Sequence, residues 1–252
     1  VASVFFEPTG PRVLAHRGLA LDVPENTLPA FAAAHDAGAE YLETDVRLTR
    51  DGVAVLAHDA RVRPRSGDAA IDVASRTMTA LAAADLGGGI GFTRLDDALD
   101  AFPALRFNID VKVDTAVDAA VAAVRRTNAS DRVLLASFSE PRRRRLAREL
   151  PGAATSSGRT GVVRAWAAAL AGGAATMRAA LAGAAALQVP ERIGATRLVT
   201  PRLIAAAHAI GVEVHVWTVN EPAHVHRLFA LGVDGVVTDR CDLAVPIAHC
   251  TS

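Results

Sequence analysis

Short β-branched runs alternate with alanine-rich helical stretches along nearly all of this chain, and few folds accept that pattern. "RVLAH" (12–16) reads as a strand, and "ENTLPAFAAAHDAG" as a helix capped by Asn26 or Thr27, with Pro29 in its first turn and Gly38 at its stop. "EYLETDVRLT" and "VAVLAHD" are extended runs joined by the turn signal "RDG". After 60–94, which has no strong periodicity, come the strand "RFNIDVKV", a helix over 115–127, the strand "RVLLASF" and a helix opened by Pro141. Alanine and glycine blur all limits over 152–187, but "AALQV" (185–189) reads as a strand. "TPRLIAAAHAIG" (helix), "VEVHVWTVN" (strand), "EPAHVHRLFALG" (helix) and "VDGVVTD" (strand) follow. About eight strand–helix units in 252 residues predict a closed (β/α)8 TIM barrel, a single domain over 1–252 with a small cap insertion at about 60–94, after the strand that ends at His58.

Charge excludes some functions. Lys+Arg and Asp+Glu balance at 27 each, so no overall field draws in nucleic acid or an anionic membrane, and any anion must be bound locally. "PRRRR" (141–145) reads as a solvated helix face, because one Tyr and two Trp leave it without interleaved aromatics. No apolar run of about 18 residues occurs and the start lacks a leader pattern, so the expectation is a cytoplasmic protein without stable membrane insertion. Cys241 and Cys250 lack metal-type spacing and fit a reducing compartment. Oligomeric state is not legible.

In such a barrel, chemistry belongs at the C-terminal ends of the strands. Glu43 and Asp45, two apart, share one face of a strand whose opposite face carries Leu42 and Val46. Crowded in a barrel interior, two carboxylates take up protons unless a cation neutralises them. Asp110, on another strand, supplies a third, and an acceptor-only set without thiolate suits Mg²⁺ or Ca²⁺. His16 and His58 alone among eight histidines end strands in an "AH" context, and imidazole is the side chain suited to proton transfer near neutral pH. His35, His208, His224 and His226 fall in helices and His249 in the tail, where solvated or locally bonded roles are expected; His215, on the face of Trp217, is expected either just behind the site or in the core. Lys112 is the only lysine among 27 basic residues and shares a face with Asp110, so its ammonium should reach the cation site as a compact point charge. Arg17 is a candidate clamp for phosphate oxygens. Asp59, as a strand neighbour of His58, should point away from it into the turn.

Together "LAHRG", "PENTLPAF" and "ETDVRLTRDGVAVLAHD", followed by "FNIDVK", "VHVWTVNEP" and "GVDGVVTD", resemble the ordered motifs of the glycerophosphodiester phosphodiesterase family. The resemblance implies a TIM barrel that uses a divalent metal to hydrolyse small glycerophosphodiesters to sn-glycerol 3-phosphate and an alcohol. Carried over, His16 is the general base, His58 the general acid, Glu43, Asp45 and Asp110 the metal ligands, Arg17 and Lys112 the phosphate neutralisers, and Trp217 a pocket wall. A glycerol hydroxyl or water is the first nucleophile. Two departures stand out: Asp110 replaces the family's usual Glu, and "ARVRPRSGDAAIDVASRT" replaces the usual cap pattern. Competing expectations on the same barrel are a lysophospholipase D or sphingomyelinase D-like enzyme and a catalytically silent binding module.

Overall fold

The computed structural model describes residues 4–65 and 67–251. Its elements run β1 (Arg12–His16), α1 (Leu28–Asp36), β2 (Tyr41–Leu48), β3 (Ala54–Leu56), β4 (Arg61–Val62), β5 (Ile71–Asp72), α2 (Met78–Ala82), α3 (Leu95–Ala101) and β6 (Arg106–Val111). Then follow α4 (Val117–Arg126), β7 (Val133–Ala136), α5 (Glu140–Glu149), β8 (Ala154–Thr155), α6 (Arg159–Ala171), α7 (Ala174–Leu181) and β9 (Ala186–Pro190). The hairpin β10 (Arg192–Ile193) and β11 (Thr196–Arg197), α8 (Pro201–His208), β12 (Glu213–Trp217), α9 (Pro222–Ala230), β13 (Gly235–Thr238) and α10 (Cys241–Thr251) complete the chain.

Eight parallel strands stand in the order β8-β7-β6-β2-β1-β13-β12-β9. The ring closes through a parallel bridge between Ser156 and Ala186, where Ala185 N–H donates to Thr155 O at 2.8 Å and Ser157 N–H to Ala186 O at 2.9 Å. The expected barrel is therefore present.

Alternation along β6 shows how the layers separate. Phe107, Ile109 and Val111 belong to the large apolar cluster shared with the helices, whereas Asn108 and Asp110 line the pocket. Phe107 packs edge-on against Phe31 of α1, ring centres 5.9 Å apart, and burying such a ring stabilises by about 1.5–3 kcal/mol. A second cluster, with Phe5, Leu14, Tyr41 and Leu134, fills the opposite end of the barrel, so the interior is a packed floor beneath a pocket. A third, with Val55, Met78, Leu81 and Phe92, sits under the 60–94 excursion.

Several expectations are sharpened or corrected. Thr27 caps α1, its hydroxyl accepting from Ala30 N–H, while Asn26 turns inward. "VAVLAHD" is not a barrel strand: β3 pairs antiparallel with β2, which overshoots the barrel and folds back. The barrel's own strand is β8, only two residues long and hidden in the alanine-rich stretch, where side chains too small to pattern erase the period. Nor is "PRRRR" wholly solvated, since Arg143 is 2% exposed and bonded to Glu140 and Thr155. Cys241 is buried, Cys250 exposed, and both are free thiols. No helix among the described residues is long and apolar enough to cross a membrane.

Candidate active site

The strand ends open into a cavity of about 600 Å³, ordinary for a small-molecule site. All eight side chains singled out from the sequence line it: His16, Arg17, Glu43, Asp45, His58, Asp110, Lys112 and Trp217.

The turn after β1 sets the first pair. Arg17 (φ 57°) and Gly18 (φ +84°) lie in the left-handed region, and a Cβ on Gly18 would fall 2.6 Å from the Ala30 backbone, so only glycine lets α1 pack this closely. The turn leaves His16 with Nδ1 2.6 Å from Asp239 Oδ1 and Nε2 3.9 Å from Glu43 Oε2. A carboxylate only accepts, so this bond puts the proton on Nδ1 and leaves Nε2 towards the pocket. Asp239 is itself held by Asn220, whose amide donates to it at 2.7 Å, and the His16 hydrogen bond keeps its carboxyl below the usual range.

His58 arrives by the fold-back. β3 returns alongside β2, Ala57 N–H donates to Asp45 O at 2.9 Å, and Arg47 Nε donates to the His58 carbonyl at 2.8 Å. Beyond β3 the backbone bends, so strand alternation no longer applies. Asp59 consequently lies beside the ring, Oδ1 2.9 Å from His58 Nδ1, contrary to the expectation that it points away.

β2 and β6 run in register, Glu43 opposite Asn108 and Asp45 opposite Asp110, which brings three buried carboxylates to one wall. Lys112 Nζ lies between two of them, 2.7 Å from Asp45 and 2.6 Å from Asp110. Burial opposes charge on all three acids. At Asp45 the neighbouring Lys112 and Arg17 outweigh that penalty and hold the carboxyl below its ordinary value. Burial wins at Glu43, which with Asp45 and Asp110 nearby is pushed well above the carboxylate range, and burial also raises Asp110. Arg17 completes this wall, 3.1 Å from Asp45 and 2.9 Å from Glu25.

Among the described residues no three acid, histidine or cysteine side chains converge as a metal centre. The donor chemistry nonetheless fits a hard cation. Glu43 is a desolvated acceptor, and Asp110 Oδ1 and Asn108 Oδ1 are buried in the pocket without a hydrogen-bond partner.

The facing wall is different in kind. Trp217 packs edge-on with Phe138 at 5.8 Å, and Val162, Val163 and Ile193 continue an apolar flank. Sequence reasoning missed Asn26, Asn108, Asp239 and Phe138. Asn108 was findable, two residues before Asp110, and Asp239 directly follows the last strand; Asn26, donating to Asp45 at 3.3 Å and accepting from Thr44 at 2.7 Å, sits in the "PENTLPAF" motif but reads there only as a helix cap. His215 is fully buried, as expected, its Nε2 3.0 Å from Glu213.

Known proteins resemble this chain over nearly its whole length. The chain is 41% identical over 242 residues (95% of this chain, 91% of the relative) to a Mycobacterium tuberculosis protein named probable glycerophosphodiester phosphodiesterase 2. It superposes with a TM-score of 0.75 and 25% identity on the crystal structure of glycerophosphodiester phosphodiesterase from Agrobacterium tumefaciens, covering 94% of this chain and 98% of that one. An Oleispira antarctica phosphodiesterase solved with the product sn-glycerol-3-phosphate shares the fold (TM-score 0.78, 21% identity, 94% and 96% covered). With residues 16–243 matched by the model of the glycerophosphoryl diester phosphodiesterase family, the chain belongs to that family.

Proposed function

We propose that this protein hydrolyses glycerophosphodiesters to sn-glycerol 3-phosphate and an alcohol, by acid–base catalysis with two histidines beside a divalent cation. The observation that carries the reading is the convergence, in one cavity, of three buried carboxylates, Lys112 and two separately anchored imidazoles. Membership of the family and the product held by the Oleispira antarctica relative support it.

Glu43, Asp45 and Asp110 would hold the cation, Mg²⁺ or Ca²⁺. When bound, it supplies positive charge where the phosphoryl oxygens gain negative charge. Lys112 and Arg17 add fixed positive charge in a site largely screened from water. His16, with its proton fixed on Nδ1 by Asp239, is the base that takes a proton at Nε2 from the attacking oxygen, whether of glycerol or of water. His58, held by Asp59 just beyond the β3 fold-back, gives a proton to the departing alcohol. The two histidines come from different elements, which suits in-line displacement. Trp217 and Phe138 pack against the glycerol or the leaving group. The chain acts as one domain with the 60–94 excursion as its cap. The two free thiols suit a reducing compartment, and the cytoplasm is the proposed location.

A second reading, cleavage of lysophospholipids on the same barrel, is favoured by the apolar flank alone. Two coupled assays test both: glycerol 3-phosphate, read by a dehydrogenase, from glycerophosphocholine and glycerophosphoethanolamine, and free choline, read by an oxidase, from lysophosphatidylcholine, whose cleavage leaves the acyl group on lysophosphatidic acid. Release from the first two, stopped by EDTA and restored by Mg²⁺ or Ca²⁺, is expected. Full turnover in excess EDTA would refute the cation; choline release from lysophosphatidylcholine with no glycerol 3-phosphate from the other two would select the second reading.

A further inference from the structure

A net charge of zero conceals a local imbalance. Residues 151–202 hold six arginines and a single acid, Glu191. That acid is engaged from outside by Arg227, at 2.6 Å. Arg159, Arg164, Arg178, Arg192, Arg197 and Arg202 are all exposed, and among the described residues none of them is ion-paired.

Arg159 and Arg164 on α6, Arg192 and Arg197 on the β10–β11 hairpin and Arg202 at the start of α8 form a rim around one side of the pocket mouth. α6 begins where Arg159 N–H donates to Phe138 O at 3.1 Å and ends where Arg202, at the start of α8, donates to Leu170 O at 2.7 Å. Both joints lie beyond the ends of barrel strands, so α6 runs along the open face. It buries Ala165, Ala168 and Ala169 and turns Val163, Ala167 and Leu170 to solvent. Val163 and Ile193 are each 58% exposed, Leu170 52% and Phe138 49%; the other exposed large apolar side chains among the described residues, Leu21 (also 49%), Val4 and Leu243, belong to other segments. Four of the seven such side chains among the described residues therefore gather on one arginine-rich rim.

We propose that this rim docks the enzyme on an anionic lipid surface. Apolar side chains that reach into the interface, ringed by unpaired guanidinium groups, are the combination such a surface attracts. Charge argues against a second copy of the chain, because two such faces repel. Single-stranded nucleic acid would need a stacking platform, and both tryptophans are only partly exposed, Trp217 being inside the pocket. Docked this way, the protein presents its pocket mouth to the bilayer, since Val163, Ile193 and Phe138 belong to both the rim and the cavity lining.

Co-sedimentation with sucrose-loaded vesicles tests this. The protein should bind phosphatidylcholine vesicles containing about a third phosphatidylglycerol, release them as salt rises, and ignore pure phosphatidylcholine. Each arginine contributes about fivefold to partitioning, so the triple reversal Arg164→Glu, Arg192→Glu, Arg197→Glu should weaken binding at least about a hundredfold. None of these three lines the cavity, and turnover of soluble glycerophosphocholine should stay within about twofold of wild type, which also reports folding. Leu170→Ser should weaken vesicle binding severalfold while keeping its salt dependence. Equal binding to neutral vesicles, no binding at low salt, or unchanged binding by the triple variant would overturn the proposal. So would dimerisation abolished by the reversal without vesicle binding. A wild type that binds vesicles but releases no glycerol 3-phosphate would count against the hydrolytic reading instead.

Discussion

The two walls of the cavity are built from the same barrel yet treat charge in opposite ways. On the β1, β2 and β6 side, Glu43, Asp45, Asp110, Lys112 and Arg17 point inward, the two cations paired with Asp45 and Asp110 and Glu43 left as a desolvated acid. On the β7, β8 and β9 side the pocket is lined by serines, Gln188 and apolar groups with one exposed arginine, Arg159, at the mouth, and the buried ions lie behind the strands: Arg143 of α5 bonds Glu140 at 2.7 Å, Thr155 of β8 at 3.1 Å and the Ala182 carbonyl at 3.2 Å. The same kind of charge is therefore chemical equipment when it faces the ligand and scaffolding when it faces the helices. Arg143 braces the two-residue strand where the ring closes, which is the place with the fewest ladder bonds to spare.

The strongest test of this contrast is Lys112→Arg. A guanidinium is too wide to sit between two carboxylates at 2.6–2.7 Å, so the charge survives but both acids move. Loss of about a hundredfold or more in kcat/KM, with the melting temperature nearly unchanged, is expected from misplacing the groups around the reacting centre. Near-normal turnover would show that charge alone matters on this wall.

Arg143→Ala should do the reverse, sparing the chemistry of folded protein while costing about 3 kcal/mol of stability, roughly 6–12 °C in Tm for a chain of this size. The cost is at the low end for a buried pair because Arg144 and Gly158 N–H still bond Glu140. Burial alone would raise the Glu140 carboxyl, but hydrogen bonds from Arg143 above all hold it below its ordinary value. A depressed folded pKa gives stability that is present above the unfolded value of about 4.3 and is lost as pH falls through the folded value. The gap between wild type and variant should accordingly narrow on acidification, and a gap independent of pH would assign Arg143 to packing only.

A smaller effect separates orientation from charge. Asp239→Asn keeps a hydrogen-bonding group beside His16 but allows the ring the other tautomer, so kcat should fall about tenfold with KM little changed. An unchanged kcat would remove Asp239 from the site's working parts. Least of all, Trp217→Ala should raise KM about fivefold and leave kcat nearly constant, as expected where the apolar wall contributes binding that ground and transition states share.

Legibility followed the same division. Along the charged wall, spacing sufficed: a period of two put Glu43 with Asp45 and Asp110 with Lys112, and the structure finds all of them in one cavity. Across the apolar wall, β8 and the two helices that follow are made of residues too small to mark a period, and Phe138 follows its strand with no polar signal. His58 reaches the cavity, but not from the end of a barrel strand, because β3 is an antiparallel return.

The sequence by itself determined the alternation that makes a barrel, the face each paired carboxylate takes and the singular lysine, since these depend on backbone periods and residue chemistry that act over a few positions. Only the tertiary structure decided which distant partners meet: Asp239 with His16 across 223 positions, Asn26 with Asp45, and Arg143 behind the closing strand. Those pairings arise from ring closure and from β2 overshooting the barrel, where long-range packing, not local preference, sets the distances.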